Sequence, residues 1–493
     1  MAKTLRLSDR AAFLIVGNGI QSLSAMVTVM VLARLLSQGD YGSYRQVWLA
    51  YNVAAPFLML GIPASVLYFL PRLEPPHRRA FVSQTVLLLL ALGVVFAAGL
   101  YLAAPLVAAR FRNPGLAHLL RAFAPYTVAA FPLAFVPNSL VALNRHRLAS
   151  LLTGAFALSL MAVVVGVALV TTRLLPTVAA IPLVAAGQLL VGVAAIRSGW
   201  WGPRPWCDAK LLRTQLAYSI PIGIAGLAGT VGRQIGQALV SMSYPRDQYA
   251  VYAVGAFEVP LLSVMTGAVM TTLMPVLSGM AHRQETAPML RLWHESIRKV
   301  SLVLFPLFAL FFVLAPELVV LLFSAKYAAS TPIFRIYLLL LPLRTTVYSS
   351  VLMAAGQTGA LALGAAGFLV LVAALTWVLL GSFGLAGAAA AAVISTYALG
   401  AFYLAAVKRK LALDTRALFP WRQVNAILAF ACLIGLAVWP LVLLPLGLWP
   451  RVGLVTVVYL ALYLPLGRAL RLLTADDLRL ATGWLTLRTL RRS

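Results

Sequence analysis

Polar and charged side chains that interrupt long apolar segments are the residues of this sequence that could do chemistry. A charged side chain is costly in hydrocarbon, so it usually faces a protein interior or a water-filled cavity. Arginine suits an anionic group there, because its guanidinium is always protonated and binds phosphate oxygens in pairs. We therefore predict a cationic binding site built from these residues: Asn18, Gln21, Arg45, Asn52, Arg233, Gln237, Glu258, Arg344 and Tyr348.

Two groups of these polar residues follow the spacing of one helix face. The first stripe consists of Asn18, Gln21, Ser22, Ala25 and Thr28. The second runs at i, i+3, i+7 and i+11 and consists of Thr230, Arg233, Gln237 and Ser241. Each stripe would present its side chains to the same side of its helix.

Structural roles stay open for several of these residues. Asn18 and Gln21 would serve equally well as hydrogen-bonding groups between helices. Arg45 lies near a helix end, from which its side chain would reach the lipid headgroups. Glu258 would neutralise Arg233 or Arg45 in a structural ion pair.

The acidic residues and histidines are not arranged for catalysis. No two of the 12 acidic residues stand at i, i+3 or i+4 within an apolar segment, and no histidine lies near a membrane midplane with a carboxylate partner. Cys207 and Cys432 fall at different depths, too far apart for a disulfide or a metal site. The predicted outer loops are too short for a catalytic domain. We therefore expect neither an enzyme nor a bound cofactor or metal.

The composition requires a membrane to surround these residues. Of 493 residues, 62% are hydrophobic and 10% are charged, and the mean hydropathy is +0.93. Helices of about 20 apolar residues cross a hydrocarbon core of roughly 30 Å. The sequence predicts an all-α polytopic membrane protein with about 14 spans: 11–36, 43–70, 80–104, 116–143, 147–171, 176–196, 215–242, 248–277, 297–323, 332–355, 358–380, 384–407, 423–444 and 451–472.

The net charge is +27, and the distribution of the cationic residues along the chain indicates the membrane topology. If the N-terminus is cytoplasmic, 27 of the 39 Lys and Arg residues fall in inner segments and 10 in outer ones, with Arg233 and Arg344 left in the membrane. Because cationic residues concentrate on the cytoplasmic side, both termini are expected there. The basic loops face anionic lipid, so we predict no nucleic-acid partner.

An internal repeat divides the chain into halves. The segment SQGDYGSYRQVWLAY (37–51) matches PRDQYAVYAVGAFEV (245–259), aligning Tyr41 and Tyr44 with Tyr249 and Tyr252 at an offset of 208, the difference between 249 and 41. A second match joins FRNPGLAHLLRAFAPY (111–126) to FSAKYAASTPIFRIYLLLLP (323–342). We interpret Tyr41 and Tyr44 as interfacial anchors that close the first hairpin.

The repeat predicts two tandem six-helix lobes around a central cleft. An even number of helices in each half gives the halves one orientation, related by an axis along the membrane normal. The predicted domains are a first lobe over 1–198, a cytoplasmic linker over 199–214, a second lobe over 215–407, two further helices over 408–472 and a cytoplasmic tail over 473–493.

The stretch LARLLSQGDYGSY (32–44), with FRIYLLLLPL (334–343) and the six-plus-six helix pattern, resembles the Wzx-type oligosaccharide flippases. These form the polysaccharide-transporter branch of the multidrug/oligosaccharidyl-lipid/polysaccharide exporter superfamily. The resemblance implies that helices one, two, seven and eight line the cleft.

The resemblance also implies a function. It indicates transfer of undecaprenyl-diphosphate-linked oligosaccharide across the bacterial cytoplasmic (inner) membrane, from inner to outer leaflet, by alternating access. The product would enter surface polysaccharide: O-antigen, capsule or exopolysaccharide. Membrane lipids, a polysaccharide polymerase and other assembly proteins are the implied partners. The alternatives are a multidrug or metabolite exporter of the same fold and a membrane enzyme of cell-surface sugar assembly.

Overall fold

The computed structural model is helical throughout the residues that it describes, which are 7–197, 207–257, 273–274 and 276–474. No β-strand occurs among them. The helices of the first part are α1 (Leu7–Leu35), α2 (Gln38–Met59), α3 (Ile62–Phe69), α4 (Pro75–Arg110), α5 (Leu116–Phe123), α6 (Tyr126–Ala142), α7 (His146–Thr171), α8 (Leu174–Arg197), α9 (Ala209–Ser243) and α10 (Arg246–Gly255).

The second part continues after a helical stretch over 276–282. Its helices are α11 (Thr286–Val313), α12 (Ala315–Phe323), α13 (Thr331–Leu338), α14 (Ser349–Ala354), α15 (Thr358–Leu411), α16 (Thr415–Leu418), α17 (Trp421–Val438) and α18 (Leu448–Ala469). Short 3-10 helices cover Ala325–Ser330, Pro342–Thr345 and Trp439–Leu443.

Within the described residues, eight helices are long and apolar enough to cross a membrane, and up to ten spans result if two bent pairs each count as one. The pairs are α2 with α3, bent by 45°, and α5 with α6, bent by 49°. The 54-residue α15 breaks at Gly384, whose φ of 59° only glycine adopts readily, between the predicted spans 358–380 and 384–407. The all-α polytopic class is confirmed.

The predicted tenth span, 332–355, is wrong as a continuous helix. It divides into α13, the 3-10 turn Pro342–Thr345 and α14, with Thr346 extended at φ −144° and ψ 161°. Proline lacks the N–H that a continuing helix needs, so Pro342 ends the regular hydrogen bonding. Arg344 therefore lies in a break between helices and not at a helix centre.

Side-chain caps explain where α2 and α9 begin. The Ser37 hydroxyl accepts a hydrogen bond from the backbone N–H of Asp40 at 3.1 Å. The carboxylate of Asp208 accepts from the N–H groups of Lys210 and Leu211, at 3.0 and 3.1 Å. Such caps satisfy donors that the first helical turn leaves without partners. The polar turn after α1 thus serves to start α2.

The chain forms two compact units. The first contains Met1–Ala268 with Ala362–Ser395, and the second contains Val269–Leu361 with Thr396–Ser493. In the first unit, α1 packs along α7, where a Cβ on Gly17 would stand 2.8 Å from the backbone oxygen of Ser150. The division into lobes at the 199–214 linker stays a prediction.

A hydrophobic core around α11, α17 and α18 organises the second unit. Its fully buried side chains include Trp293, Phe305 and Tyr459. At one edge, the buried carboxylate of Glu317 pairs with Arg451 at 3.3 Å, and Arg451 also donates to the carbonyl oxygen of Leu446 at 2.8 Å. This ion pair joins α12 to α18.

Candidate functional site

The candidate site lies where the bent pair of helices α2 and α3 packs against α9. All three helices belong to the first unit. Along the contact, residue numbers rise in α2 and α3 while the numbers of their partners in α9 fall. The helices therefore run antiparallel. Gln46 Nε2 donates to Ser241 Oγ at 3.0 Å near one end, and Gln215 Nε2 donates to Ser65 Oγ at 3.0 Å near the other.

Glycine lets the two helices approach closely between these ends. Leu60 and Gly61, at φ 40° and 75°, form the bend between α2 and α3. A Cβ on Gly223 of α9 would lie 2.2 Å from the carbonyl carbon of Leu60. No larger residue fits at Gly223 without moving one backbone.

Arg233 and Asn52 lie at depths on this pair that differ by about 3 Å, measured along the helices from the Gln46–Ser241 contact. Arg233 is eight residues from Ser241, or about 12 Å along α9, and Asn52 is six residues from Gln46, or about 9 Å along α2. Both side chains are exposed. The guanidinium of Arg233 donates to the hydroxyl of Thr230 at 3.4 Å. Among the described residues, α9 is not one of the eight helices that are long and apolar enough to cross a membrane. Within the predicted span 215–242, however, an exposed guanidinium would need water or an anion beside it.

Only part of the predicted α9 stripe is accessible. Gln237 is half-buried and accepts a hydrogen bond from the hydroxyl of Tyr249 at 3.4 Å. Ser241 is fully buried against Gln46. The stripe is therefore not accessible along its whole length, because this end of α9 is covered by α2. Thr230 and Arg233 remain at the surface of the helix.

The α1 stripe divides in a similar way. Asn18 and Gln21 are exposed and make no hydrogen bond to any described residue, which does not support a helix-bonding role in this part of the chain. Thr28 is buried, as are Ser24 and Gly17 of the same helix. It lies two turns from Gln21 on the same side of α1, so the stripe is exposed at one end and covered at the other.

Arg45 is half-buried beside the tyrosines of both repeats. Its guanidinium lies within electrostatic range of the hydroxyls of Tyr41, Tyr44 and Tyr249. Its Nε atom is buried without a hydrogen-bond partner among the described residues. If the side chain extended to the lipid headgroups, this Nε atom would contact water. Its burial therefore does not fit that role for Arg45. Arg45 stands seven residues from Asn52, on the same face of α2 and about 10 Å away.

The interpretation of Tyr41 and Tyr44 as interfacial anchors was wrong. Both are buried, as are their repeat partners Tyr249 and Tyr252. They are covered because the two matched segments pack on each other: α2 contacts α10, and a Cβ on Gly42 would stand 1.9 Å from the carbonyl oxygen of Arg246. The first internal match is thus also a contact between the repeats.

The second internal match has a structural counterpart. The guanidinium of Arg121 lies over the ring of Tyr101 at 5.3 Å, and that of Arg335 lies over the ring of Phe312 at 5.5 Å. Each arginine follows its aromatic partner by about 20 residues across the same helix end. These equivalent cation–π contacts, one in each unit, support the repeat.

Arg344 and Tyr348 belong to the second unit. Arg344 is half-buried in the 3-10 turn, and the ring of Tyr348 stacks on Phe419 with centroids 6.3 Å apart. The break at Thr346 separates them. Glu258, and with it the predicted pairing to Arg233 or Arg45, lies outside the described residues.

Sequence reasoning missed two buried polar networks. The Gln46 network comprises Ser43, Gln46, Asn113 and Ser241. The Gln215 network comprises Ser65, Thr85 and Gln215. Asn113 Nδ2 donates to Ser43 Oγ at 2.8 Å and to Gln46 Oε1 at 2.7 Å. Asn113 sits in a loop with no periodicity, so no sequence signal marked it.

Exposed charged groups at and near the start of α11 form surface pairs. Arg283 donates to both carboxylate oxygens of Glu285 at 2.8 and 3.3 Å, and this hydrogen bonding lowers the pKa of Glu285. Lys299 pairs with Glu295 at 2.6 Å. Within the described part of the chain, no three His, Cys, Asp or Glu residues are placed to hold a metal ion.

The fold is shared with solved structures of membrane transporters. The chain is similar to the lipid II flippase MurJ in an inward closed conformation, with a TM-score of 0.71 and 13% identity over 92% of this chain and 98% of that one. It is also similar to a mutant of the MATE transporter VcmN from Vibrio cholerae (TM-score 0.56, 13% identity, 83% of this chain and 99% of that one) and to a MOP superfamily transporter from Pyrococcus furiosus (0.56, 12%, 82% and 94%).

The sequence itself identifies the family. Residues 31–332 match the family described as polysaccharide biosynthesis protein, and the chain belongs to it. This confirms the relationship indicated by the resemblance to Wzx-type flippases. No curated protein matches the chain.

Proposed function

We propose that the protein is a flippase that carries undecaprenyl-diphosphate-linked oligosaccharide from the inner to the outer leaflet of the bacterial cytoplasmic membrane, for surface polysaccharide synthesis. Membership of the polysaccharide biosynthesis family and the MurJ-like fold support a lipid-linked substrate. Both termini would lie in the cytoplasm, and a polymerase and other assembly proteins would use the product.

The observation that carries this proposal is Arg233. Its guanidinium is exposed in the middle of α9, with the hydroxyl of Thr230 as its hydrogen-bond partner. An arginine at a helix centre costs roughly 2.5–3.5 kcal/mol on translocon scales. A diphosphate would offset that cost, because one charge pair at about 4 Å and an effective dielectric near 20 contributes on the order of 4 kcal/mol.

Other side chains would complete the site from α1 and α2. Asn52 lies within about 3 Å of the depth of Arg233, and Arg45 stands two turns away on the same face of α2 with its Nε atom unbonded in the described structure. Asn18 and Gln21 offer exposed amides on α1. Arg233 would bind the diphosphate and the amides would bind sugar hydroxyls, while Arg45 would add positive charge further along α2. Gln237, Glu258, Arg344 and Tyr348 stay candidates for contacts made at other steps.

The main alternative is an exporter of cationic drugs or metabolites, which would need accessible carboxylates in the spans. Glu317 is a buried acid of the described residues that sequence reasoning overlooked. Its carboxylate is already paired with Arg451 at 3.3 Å, so it has no free charge for a cationic substrate. The exposed charge of α9 has the opposite sign. Among the described residues, the charge pattern therefore favours an anionic substrate.

Replacement of Arg233 tests the proposal. We expect Arg233→Ala to reach the membrane at normal abundance while lipid-linked oligosaccharide accumulates on the inner leaflet, and Arg233→Lys to restore export in part, because lysine keeps the charge but not the paired donors. Arg213→Ala is the matched control, since Arg213 is an exposed arginine near the start of the same helix. Normal export by well-expressed Arg233→Ala would exclude the proposed role.

A structural role for Arg233 predicts a different pattern. If Arg233 pairs with Glu258, each single variant should lose abundance. The double variant Arg233→Gln with Glu258→Gln should then recover it, because removal of both charges leaves neither uncompensated. Quantitative immunoblotting of membranes, together with the export assay, separates these two roles.

A further inference from the structure

Three side chains form a stacked column where the end of α3 meets the start of α9. This Arg72 column consists of Arg72, Tyr68 and Tyr218. The rings of Tyr68 and Tyr218 have centroids 4.5 Å apart and planes 19° from parallel. The central carbon of the Arg72 guanidinium lies 4.0 Å from the centroid of the Tyr68 ring. Because Arg72 and Tyr68 are exposed, the column presents a cation at the surface of the protein.

The guanidinium of Arg72 is held in place on one side and open on the other. Its Nη1 atom donates to the carbonyl oxygen of Tyr68 at 2.6 Å. Its Nε and Nη2 atoms make no hydrogen bond to any described residue, and Glu74, two positions further on, does not pair with it. Nε and Nη2 share one edge of the planar guanidinium, and such an edge binds two oxygens of one phosphate. The column therefore offers an oriented pair of donors.

A charge that only orients the chain in the membrane needs no such geometry. Orientation depends on how many cationic residues lie on each side of the membrane, so a freely extended arginine would serve equally well. Holding the side chain against Tyr68 costs conformational entropy. The same restraint lowers the cost of binding a ligand, because the donors are already in position. The geometry of Arg72 therefore fits recognition of an anion better than orientation alone.

The column lies at the level of the lipid headgroups if 215–242 crosses the membrane as predicted. Tyr218 is then roughly 16 Å from the middle of that span, and a hydrocarbon core of about 30 Å ends about 15 Å from its middle. On α3, the exposed residues Ala64, Leu67 and Tyr68 share one helix face, which ends beside Arg72. An apolar face that ends at a cation fits an amphiphilic molecule with an anionic head.

We infer that the Arg72 column is a binding site for the phosphate group of a membrane lipid in the cytoplasmic leaflet. Nε and Nη2 of Arg72 donate to two phosphate oxygens, and the lipid chain lies along the exposed face of α3. The site is separate from Arg233, which is about 22 Å from Tyr218 along α9. Two kinds of lipid carry the required group: an anionic phospholipid and an undecaprenyl diphosphate.

Mass spectrometry of the intact protein, purified in detergent, tests the inference. The affinity of the first bound lipid is measured for phosphatidylglycerol and for undecaprenyl diphosphate. Diacylglycerol and undecaprenol, which have the same chains without phosphate, are the matched reference lipids. The measurement involves no transport, so its outcome does not depend on the proposed flippase function.

Variants of the column should change the affinity for phosphate lipids only. We expect Arg72→Ala to weaken binding of a phosphate lipid about fivefold, near the upper limit for an exposed ion pair, and to leave both reference lipids unchanged. Arg72→Lys should restore part of the affinity, because lysine keeps the charge but lacks the paired donors. Tyr68→Phe keeps the ring and should bind normally, whereas Tyr68→Leu should lose affinity because the guanidinium is no longer held.

Arg147→Ala is the matched control. Arg147 is also exposed, belongs to a predicted inner segment and lies over the ring of Phe13 at 5.1 Å. Its replacement removes the same charge outside the column, so the affinity for phosphate lipids should stay unchanged.

The two lipids identify the source of the phosphate. A loss for undecaprenyl diphosphate alone supports the inference with that lipid as the ligand, and a loss for phosphatidylglycerol supports it with a phospholipid. Unchanged binding of both lipids by Arg72→Ala would overturn the inference. An equal loss in Arg147→Ala would also overturn it, because the attraction would then be one of positive charge in general.

Two further comparisons keep the result unambiguous. If Arg72→Ala folds poorly, Arg72→Gln keeps most of the side chain and must show the same loss. A loss of binding at Arg72 combined with normal export by Arg233→Ala would retain this site and reject the flippase site. Normal binding at Arg72 combined with lost export by Arg233→Ala would reject this site alone.

Discussion

At the scale of single residues, exposure separates side chains that one-dimensional spacing had grouped together. Arg233 and Ser241 share a stripe in the sequence, yet one is exposed and the other is buried against Gln46. The sequence could predict the stripe, because helical spacing follows from 3.6 residues per turn. It could not predict which neighbour covers one end, because that depends on contacts across 195 positions.

Gly42 provides a prediction at this scale. Gly42→Ala should lower the thermal stability of the purified protein by the roughly 1–3 kcal/mol typical of overpacking, because the new Cβ would stand 1.9 Å from the carbonyl oxygen of Arg246. Unfolding in detergent, followed by fluorescence, measures the shift. Gly99→Ala is the control, since a Cβ at Gly99 meets no atom within 4 Å. Equal stability of the two variants would contradict the close approach of α2 and α10.

At the scale of elements, the repeat explains more than the sequence match suggested. The matched tyrosine segments were expected at the membrane surface, but they pack on each other through α2 and α10. Sequence similarity reports equivalent positions, not mutual contact, so this arrangement was not predictable. The tenth predicted span failed for a local reason, because apolar composition concealed the break at Pro342.

The buried ion pair between α12 and α18 gives a prediction about elements. Glu317→Gln should destabilise the protein by up to about 3 kcal/mol, since removal of one partner leaves a poorly compensated charge on Arg451. The double variant Glu317→Gln with Arg451→Gln should recover part of this loss. Thermal unfolding of all three variants measures the coupling.

A surface pair on α11 is the control for that cycle. Lys299 and Glu295 pair at 2.6 Å but are well exposed, so their separation should cost only about 0.3–0.5 kcal/mol. If Glu317→Gln is no more destabilising than Glu295→Gln, then the ion pair between Glu317 and Arg451 does not hold α18 in place.

At the scale of the whole molecule, composition alone predicted the fold class. A mean hydropathy of +0.93 and repeated apolar segments left a polytopic helical protein as the fitting class, and the bounds of most predicted spans agree with helices of the structure. The buried networks were beyond sequence reasoning, because residues such as Asn113 and Gln215 carry no periodic signal and gain their role from neighbours distant in the chain.

The predicted topology is testable at this scale. A reporter fused after Lys410 should read cytoplasmic and one fused after Arg246 should read external, as the concentration of cationic residues in inner segments requires. Fusions to alkaline phosphatase and to a fluorescent protein, made at both positions, show on which side of the membrane each position lies. Reversal at either position would refute the span count.

Reconstitution tests the central claim most directly. Purified protein would be placed in vesicles that contain undecaprenyl-diphosphate-linked oligosaccharide in both leaflets, and the fraction of the sugar open to an external glycosidase would be followed with time. If the protein is the proposed flippase, that fraction should rise above the value in protein-free vesicles, and vesicles with Arg233→Ala should stay near the protein-free value. An unchanged fraction with folded wild-type protein, at any imposed membrane potential or pH gradient, would contradict the claim.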